Sequence, residues 1–354
     1  MKCIYCGVDS PYRMRPGRAC SGCGKRFAFE PKDGDRFTDV GFKAAIDSVS
    51  AKGQIRWGVE HLYYEICRRK RRRMFQWKTF VVISLGLIGF LFFVEASSGA
   101  FSIVLLAWLG FWLFLRSTRG PIVDPNVDNE FNGLWQRWVA VHGEPPGLIV
   151  RKPQAKTKKV HEPDIGDYSF DRAVICDRAR TVDLLVANNF HFENNCAVLS
   201  IGGYPEGPFE TIRTMLKRNP KLQVFALHDA TIPGCQLAHR LANDPSWFKG
   251  QASVTDVGLR PRHAKPFQRL LFPPPAGKHG TPAEGISPEE LSWLNQNVLE
   301  LAVIRPEQIL KRLFRAINGK ETAISDEDTS GVYYDDRSFS SDAADSDGGA
   351  DSFG

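Results

Sequence analysis

RAVICD at residues 172–177, CAVLSIGG at 196–203 and QVFALHDA at 223–230 are short apolar runs that each close on an acidic residue or a glycine pair. Read outward from them, the chain alternates. Strands are predicted at 172–176, 196–201, 222–227 and 252–257, and helices between them at 181–189, 208–218 and 233–241. Strict strand–helix alternation with short connections argues for a parallel sheet covered on both faces, a Rossmann-like α/β domain spanning residues 169–272. In such sheets functional groups gather at the carboxyl ends of the strands. Those ends carry Asp177, then Gly202 and Gly203, then His228, Asp229, Ala230 and Thr231 ahead of Pro233 and Gly234. The glycine pair is not a dinucleotide fingerprint, because G-x-G-x-x-G is absent after the first strand. His191, His228, His239 and His263 show no metal-ligand spacing and read as polar surface or loop residues.

Upstream, Cys3, Cys6, Cys20 and Cys23 form two C-x2-C pairs, each followed by glycine (Gly7, Gly24). Two residues between thiolates allow a tight turn to aim both sulfurs at one ion, and two such turns complete a tetrahedral shell of four sulfurs. The spacing predicts a zinc ribbon over 1–31 whose Zn2+ is structural, since four ligands leave no open coordination position. Tyr5, Tyr12, Arg13, Lys25 and Arg26 on the same module offer nucleic acid or a protein a surface. The other four cysteines are scattered in apolar settings, where the thiol behaves as a small hydrophobe, and this fits a reducing cytoplasm. No apolar signal segment precedes Cys3.

Residues 79–94 and 100–115 are apolar runs separated only by Glu95, Ala96, Ser97, Ser98 and Gly99. With Phe90, Leu91, Phe92, Trp108, Phe111 and Trp112 they leave no polar face, so a transmembrane helical hairpin is predicted over 74–116. Arg68, Arg69, Lys70, Arg71, Arg72 and Arg73 precede it, Arg116 and Arg119 follow it, and the turn has no basic residue. The positive-inside rule then sets both termini in the cytoplasm, with the six-residue basic run against anionic lipid head groups. A helical juxtamembrane module fills 32–73, a helix and basic linker 117–168, and C-terminal helices 285–320, one opening at Ser287 and Pro288 and running on through Leu301. Residues 321–354 read as a disordered acidic tail. The last thirty residues hold nine acidic residues against Arg337, so the rest of the chain carries about +14.

The layout around Asp177 and Asp229 resembles the Toprim domain of topoisomerases, primases and related nucleases. In that family a Glu after the first strand serves as acid/base, and an Asp-x-Asp pair after the third holds Mg2+. By position Asp177 replaces the Glu, Asp229 matches the first Asp, and Thr231 stands in place of the second. Two carboxylates hold a hard cation poorly, so the resemblance implies an inactive or repurposed domain. Leu62, Tyr63, Tyr64 and Glu65 are similar to the Tyr-Tyr segment of the winged-helix domain preceding Toprim in the topoisomerase VI A subunit, where one tyrosine attacks DNA. On an amphipathic helix such a pair reads first as packing. The expectation is a multi-domain, two-pass protein of a bacterial inner membrane, an adaptor or sensor for a protein partner in a stress or defence system. The alternative is a Mg2+-dependent Toprim-type nuclease acting on nucleic acid at the membrane, with Asp177 and Asp229 catalytic.

Overall fold

The computed structural model describes residues 1–35, 37–74, 125–150, 170–250, 252–268, 270–274 and 284–319. The predicted hairpin, apart from Met74, lies outside the described residues, as do most of the basic linker and the acidic tail. No helix among the described residues is long and apolar enough to cross a membrane.

Among the described residues three α-helices precede the sheet: α1 (Asp39–Val49), α2 (Val59–Met74) and α3 (Pro125–His142). Thr38 starts α1 as its N-cap, its hydroxyl oxygen accepting the Gly41 N–H at 3.1 Å. Of the α1 positions near helical spacing, Phe42, Ala45, Ile46 and Val49 are buried, whereas Val40 is exposed. Helix α2 is enclosed on more than the one side its apolar spacing suggests. Leu62, Tyr63, Tyr64, Ile66 and Cys67 are buried, and so are His61 and Glu65.

The sheet domain runs β1 (Arg172–Cys176), α4 (Ala179–Ala187), α5 (Phe190–Glu193), β2 (Cys196–Ser200), α6 (Phe209–Arg218), β3 (Gln223–Leu227), α7 (Ile232–Cys235), α8 (Leu237–Asn243) and β4 (Ser253–Asp256). All pairings are parallel and the order is β2-β1-β3-β4. From β1 the chain moves to one side for β2 and then crosses back for β3, which puts the topological switch point between β1 and β3. The two-residue period of a strand sends alternate side chains to opposite faces. Ala173, Ile175, Leu199, Val224 and Ala226 face Leu216, Leu237, Leu241 and Trp247. Val174, Cys176, Val198, Phe225 and Leu227 face the other way, into a larger core.

That larger core is continuous. It joins Phe29 behind the ribbon, Phe42 of α1, Leu62 of α2, Trp138 of α3, Leu185 of α4, one face of the sheet, and Leu301 and Leu313 near the C-terminus. Phe42 stacks on Trp138 at 4.8 Å between ring centroids, and Phe29 meets Phe42 at 5.1 Å. Each fully buried phenyl ring contributes about 2–3 kcal/mol. The segments on either side of residues 75–124 are also bonded through the backbone. The Trp57 N–H donates to the Gly147 carbonyl at 3.0 Å, and the Ile149 N–H to the Trp57 carbonyl at 2.9 Å. The pairings Trp57–Trp135 and Tyr63–Phe131 run in opposite sequence directions, so α2 and α3 lead away from and back to one end of the helical layer.

The C-terminal part differs from the sequence reading. Ser287 caps α9 (Pro288–Leu294) as predicted, its hydroxyl oxygen accepting the Glu290 N–H at 3.2 Å. The helix then stops at Leu294 instead of continuing through Leu301. Val298 and Leu299 form antiparallel bridges with Phe272 and Ala230, and the helix reappears as α10 (Pro306–Ile317). The apolar spacing at 298–301 marks burial against the sheet domain, and the backbone bonds made there replace helical ones.

Candidate metal centre and the carboxyl edge of the sheet

In the first 24 residues the chain builds one turn twice. The Gly7 N–H reaches the Cys3 carbonyl at 3.0 Å and the Gly24 N–H the Cys20 carbonyl at 2.9 Å. Both glycines have left-handed φ values, +74° and +71°, which a side chain rarely adopts. In each turn a backbone N–H points at the leading sulfur: Tyr5 at Cys3 Sγ (3.5 Å) and Gly22 at Cys20 Sγ (3.4 Å). The Cys3 and Cys23 sulfurs lie 3.7 Å apart and those of Cys6 and Cys20 3.5 Å apart. All four ligand atoms fall within 4.8 Å of one another. A tetrahedron with ~2.3 Å metal–sulfur bonds has edges of about 3.8 Å, so the donors and their spacing fit a metal such as zinc. Backbone N–H groups of Cys23 and Gly22 hold the Cys20 thiol down at about 6, ready to meet a cation as thiolate. The apolar core proper to the ribbon is only Cys3, Cys20 and Phe27, with Met1 against it. The sulfur cage therefore carries the stability of this segment once a metal fills it.

At the switch point the structure brings Asp177 and Asp229 together. The Asp229 backbone N–H donates to Asp177 Oδ2 at 2.9 Å. Asp229 is 1% exposed, and its Oδ1 accepts the Leu301 N–H at 2.7 Å. Its Oδ2 lies 2.5 Å from Arg178 Nε. Burial pushes Asp229 up against the pull of Arg178 and the Leu301 N–H. Burial and the neighbouring Asp229 charge push Asp177 up to about 6. Asp177 Oδ1 and Asp229 Oδ2 are both buried without a hydrogen-bond partner, the latter in spite of the nearby Arg178.

Thr231 does not join these carboxylates. Its hydroxyl oxygen caps α7 by accepting the Gly234 N–H at 3.1 Å. A third acid does approach: Glu300, from the segment bridged to Ala230. Its oxygens face Arg180 at 3.0 Å and the Tyr64 hydroxyl, which donates at 3.0 Å. Where the resemblance calls for Mg2+, two guanidinium groups of the chain itself sit among the carboxylates. Among the described residues the four cysteines alone form a group of three or more such side chains close enough to share an ion. Tyr64 is 1% exposed and hydrogen bonded, and burial drives its hydroxyl far above the ordinary range, which suits packing and not nucleophilic attack.

Two of the four histidines, His228 and His263, correct the sequence reading. His228 is fully buried, not a surface residue, with Nδ1 2.8 Å from the Asp229 carbonyl and Nε2 2.9 Å from Asp256 Oδ1. A Cβ on Gly258 would lie 2.3 Å from its ring, so only glycine fits beside it. Burial would raise Asp256, but the His228 contact and Arg260, at 2.7 Å, outweigh it and hold the carboxylate well below its usual range. His263 is also buried, and burial together with Arg312 and Arg262 pushes it down to about 3. His61 lines a small cavity with Glu60, Arg180 and Thr181, and its burial pushes it down to about 4.

Two of the six basic residues assigned to lipid are used inside the fold. Arg69 donates to Glu65 (3.0 Å), to the Ala44 carbonyl (2.9 Å) and to Ser48 (2.9 Å). Arg68 donates to Glu65 (3.0 Å) and to the Val303 carbonyl (2.8 Å). With Arg305 they hold Glu65 ionised against the effect of burial, which alone would raise it.

Fold and site together define an α/β protein with an N-terminal four-cysteine cluster suited to a metal. Comparisons with protein-family models, with curated proteins and with solved structures returned no match.

Proposed function

We propose that this chain is a membrane-anchored, cytoplasm-facing adaptor or sensor, in which a structural zinc ribbon and a non-hydrolytic Toprim-like α/β domain present a surface to a protein partner. The observation that carries it is the Arg178–Asp229 contact: the carboxylate best placed for a metal is buried and already faces a cation of the chain at 2.5 Å. Replacing that guanidinium with Mg2+ means leaving Arg178 with only Glu300, 3.7 Å away, while desolvating a strongly hydrated ion. The shared core supports the anchor. Because the segments before and after residues 75–124 pack together, the intervening stretch begins and ends on one side of any bilayer it enters, which favours two crossings. Four thiolate ligands suit a reducing compartment. The basic run from Lys70 to Arg73 supports the anchor as well, since a Lys or Arg near an anionic lipid surface is worth about 1 kcal/mol.

The nuclease alternative keeps one point in its favour, the convergence of Asp177 and Asp229 at the switch point. Full-length protein extracted from membranes separates the two. Mg2+ at ten times its dissociation constant would stabilise a binding protein by about 1.4 kcal/mol. The adaptor predicts no Mg2+-dependent shift of the unfolding midpoint and no nicking of plasmid DNA. Nicking that disappears in Asp229→Ala overturns it, and recovery of the intact chain in the soluble fraction overturns the anchor.

A further inference from the structure

We infer that metal occupancy of the ribbon is transmitted to α3, the helix that follows the membrane segment, through a hydrogen-bonded relay of Tyr5, His142 and Asp39. The inference rests on the sensor reading and names what is sensed: the metal state of the four thiolates.

Tyr5 lies between Cys3 and Cys6, and its own N–H is bonded to Cys3 Sγ, so the first metal turn sets its position. The second turn contributes Lys25, whose ammonium sits 3.8 Å from the centre of the Tyr5 ring. Both halves of the sulfur cage therefore converge on this one side chain. The Tyr5 hydroxyl is 2.9 Å from His142 Nδ1, and His142 Nε2 is 2.6 Å from Asp39 Oδ2. Asp39 is fully buried and accepts the N–H groups of Ala28 (3.0 Å) and Phe29 (2.9 Å), where the chain leaves the ribbon. A carboxylate that already accepts two N–H groups only accepts. Nε2 thus carries a proton, and in the neutral ring Nδ1 is left to accept the hydroxyl proton of Tyr5. In that tautomer donation runs from the metal turn through His142 to the first residue of α1.

His142 is the last residue of α3, with its ring 4.4 Å from that of Trp138. The Gly143 N–H closes the helix on the Val139 carbonyl at 2.9 Å. A ribbon whose apolar core is two cysteines and one phenylalanine does not hold Tyr5 and Lys25 in register without its ion. Metal loss then removes the Tyr5 hydroxyl from His142, leaves the ring held by Asp39 and Trp138 alone, and loosens the end of α3.

Hydrogen exchange of the full chain in detergent micelles, followed by mass spectrometry alongside metal analysis, tests this. Stripping zinc with ortho-phenanthroline should speed exchange across residues 139–143 by about tenfold, the equivalent of one lost contact of ~1.4 kcal/mol, and added zinc should reverse it. Tyr5→Phe, with its zinc retained, should speed exchange at the same residues and blunt any further response to the chelator. Unchanged exchange at 139–143 after zinc removal overturns the relay, and so does a zinc-loaded Tyr5→Phe protein identical to wild type there. In either case the zinc ribbon itself stands. A chain that carries no metal when isolated from cells and binds none when zinc is added overturns both.

Discussion

Asp177→Asn is expected to stabilise the protein at neutral pH. In the fold, burial and the Asp229 charge raise the Asp177 carboxyl from 3.8 to about 6, so the native state binds a proton that the unfolded chain releases at lower pH. The sign follows from linkage: between those two values the native state holds more protons than the unfolded one, and stability falls as pH rises through the window. Above it the cost is constant. Two pH units correspond to about 3 kcal/mol, an upper value because part of the side chain still meets solvent. Asparagine removes the charge and keeps the oxygen that accepts the Asp229 N–H at 2.9 Å. Urea unfolding of wild type and variant in the same micelles should show little difference near pH 4, a gap that opens as pH rises, and a variant more stable by about 2–3 kcal/mol at pH 7.5. A variant of equal or lower stability at pH 7.5, or a gap that does not change between pH 4 and 7, would refute the claim that Asp177 is a buried acid whose partners do not offset its burial. A buried acid that costs stability is a mark of binding sites.

Two further substitutions probe the supports of the site. Gly258→Ala sets a methyl 2.3 Å from the His228 ring and should cost about 3 kcal/mol in chemical unfolding, and a His228→Ala background should remove most of that increment if the clash is the cause. Glu65→Gln leaves Arg68, Arg69 and Arg305 facing a neutral amide, for a loss of about 3 kcal/mol. Because the Glu65 carboxyl is held below its ordinary 4.5, that difference should be full above this pH and shrink as pH falls through the folded value; a difference that grows in acid would count against the ion cluster.

The cysteine pairs and the sheet were legible because each depends on residues close in sequence. A glycine after C-x2-C sets a turn whatever surrounds it, and the alternation of 172–257 gave four strands within one residue of their observed ends. The predicted helix through Leu301 failed for the opposite reason. Leu294, Val298 and Leu301 are apolar at helical spacing because all face the core, yet the backbone at 298–299 pairs with Phe272 and Ala230, partners that sequence spacing does not name. Arg178 and Arg180 stood in plain view beside Asp177. Their meaning depended on Glu300 and Leu301, which packing delivers from the far end of the domain. The burial of His228 was equally hidden, since Asp256 at the end of β4 and Gly258 just beyond it enclose the ring.

By itself, then, the sequence determined the metal turns, the parallel sheet, the apolar stretch between two basic flanks and the position of Asp177 and Asp229 at strand ends. Each is written in a local period or spacing, because turn geometry and the alternation of faces are set by neighbours along the chain. Tertiary structure alone decided that Asp229 meets a guanidinium, that Arg68 and Arg69 turn inward to Glu65, and that Tyr5 reaches His142. The energy of a charge or a hydrogen bond depends on distance in space and on burial, and neither is fixed until segments far apart in the chain have packed.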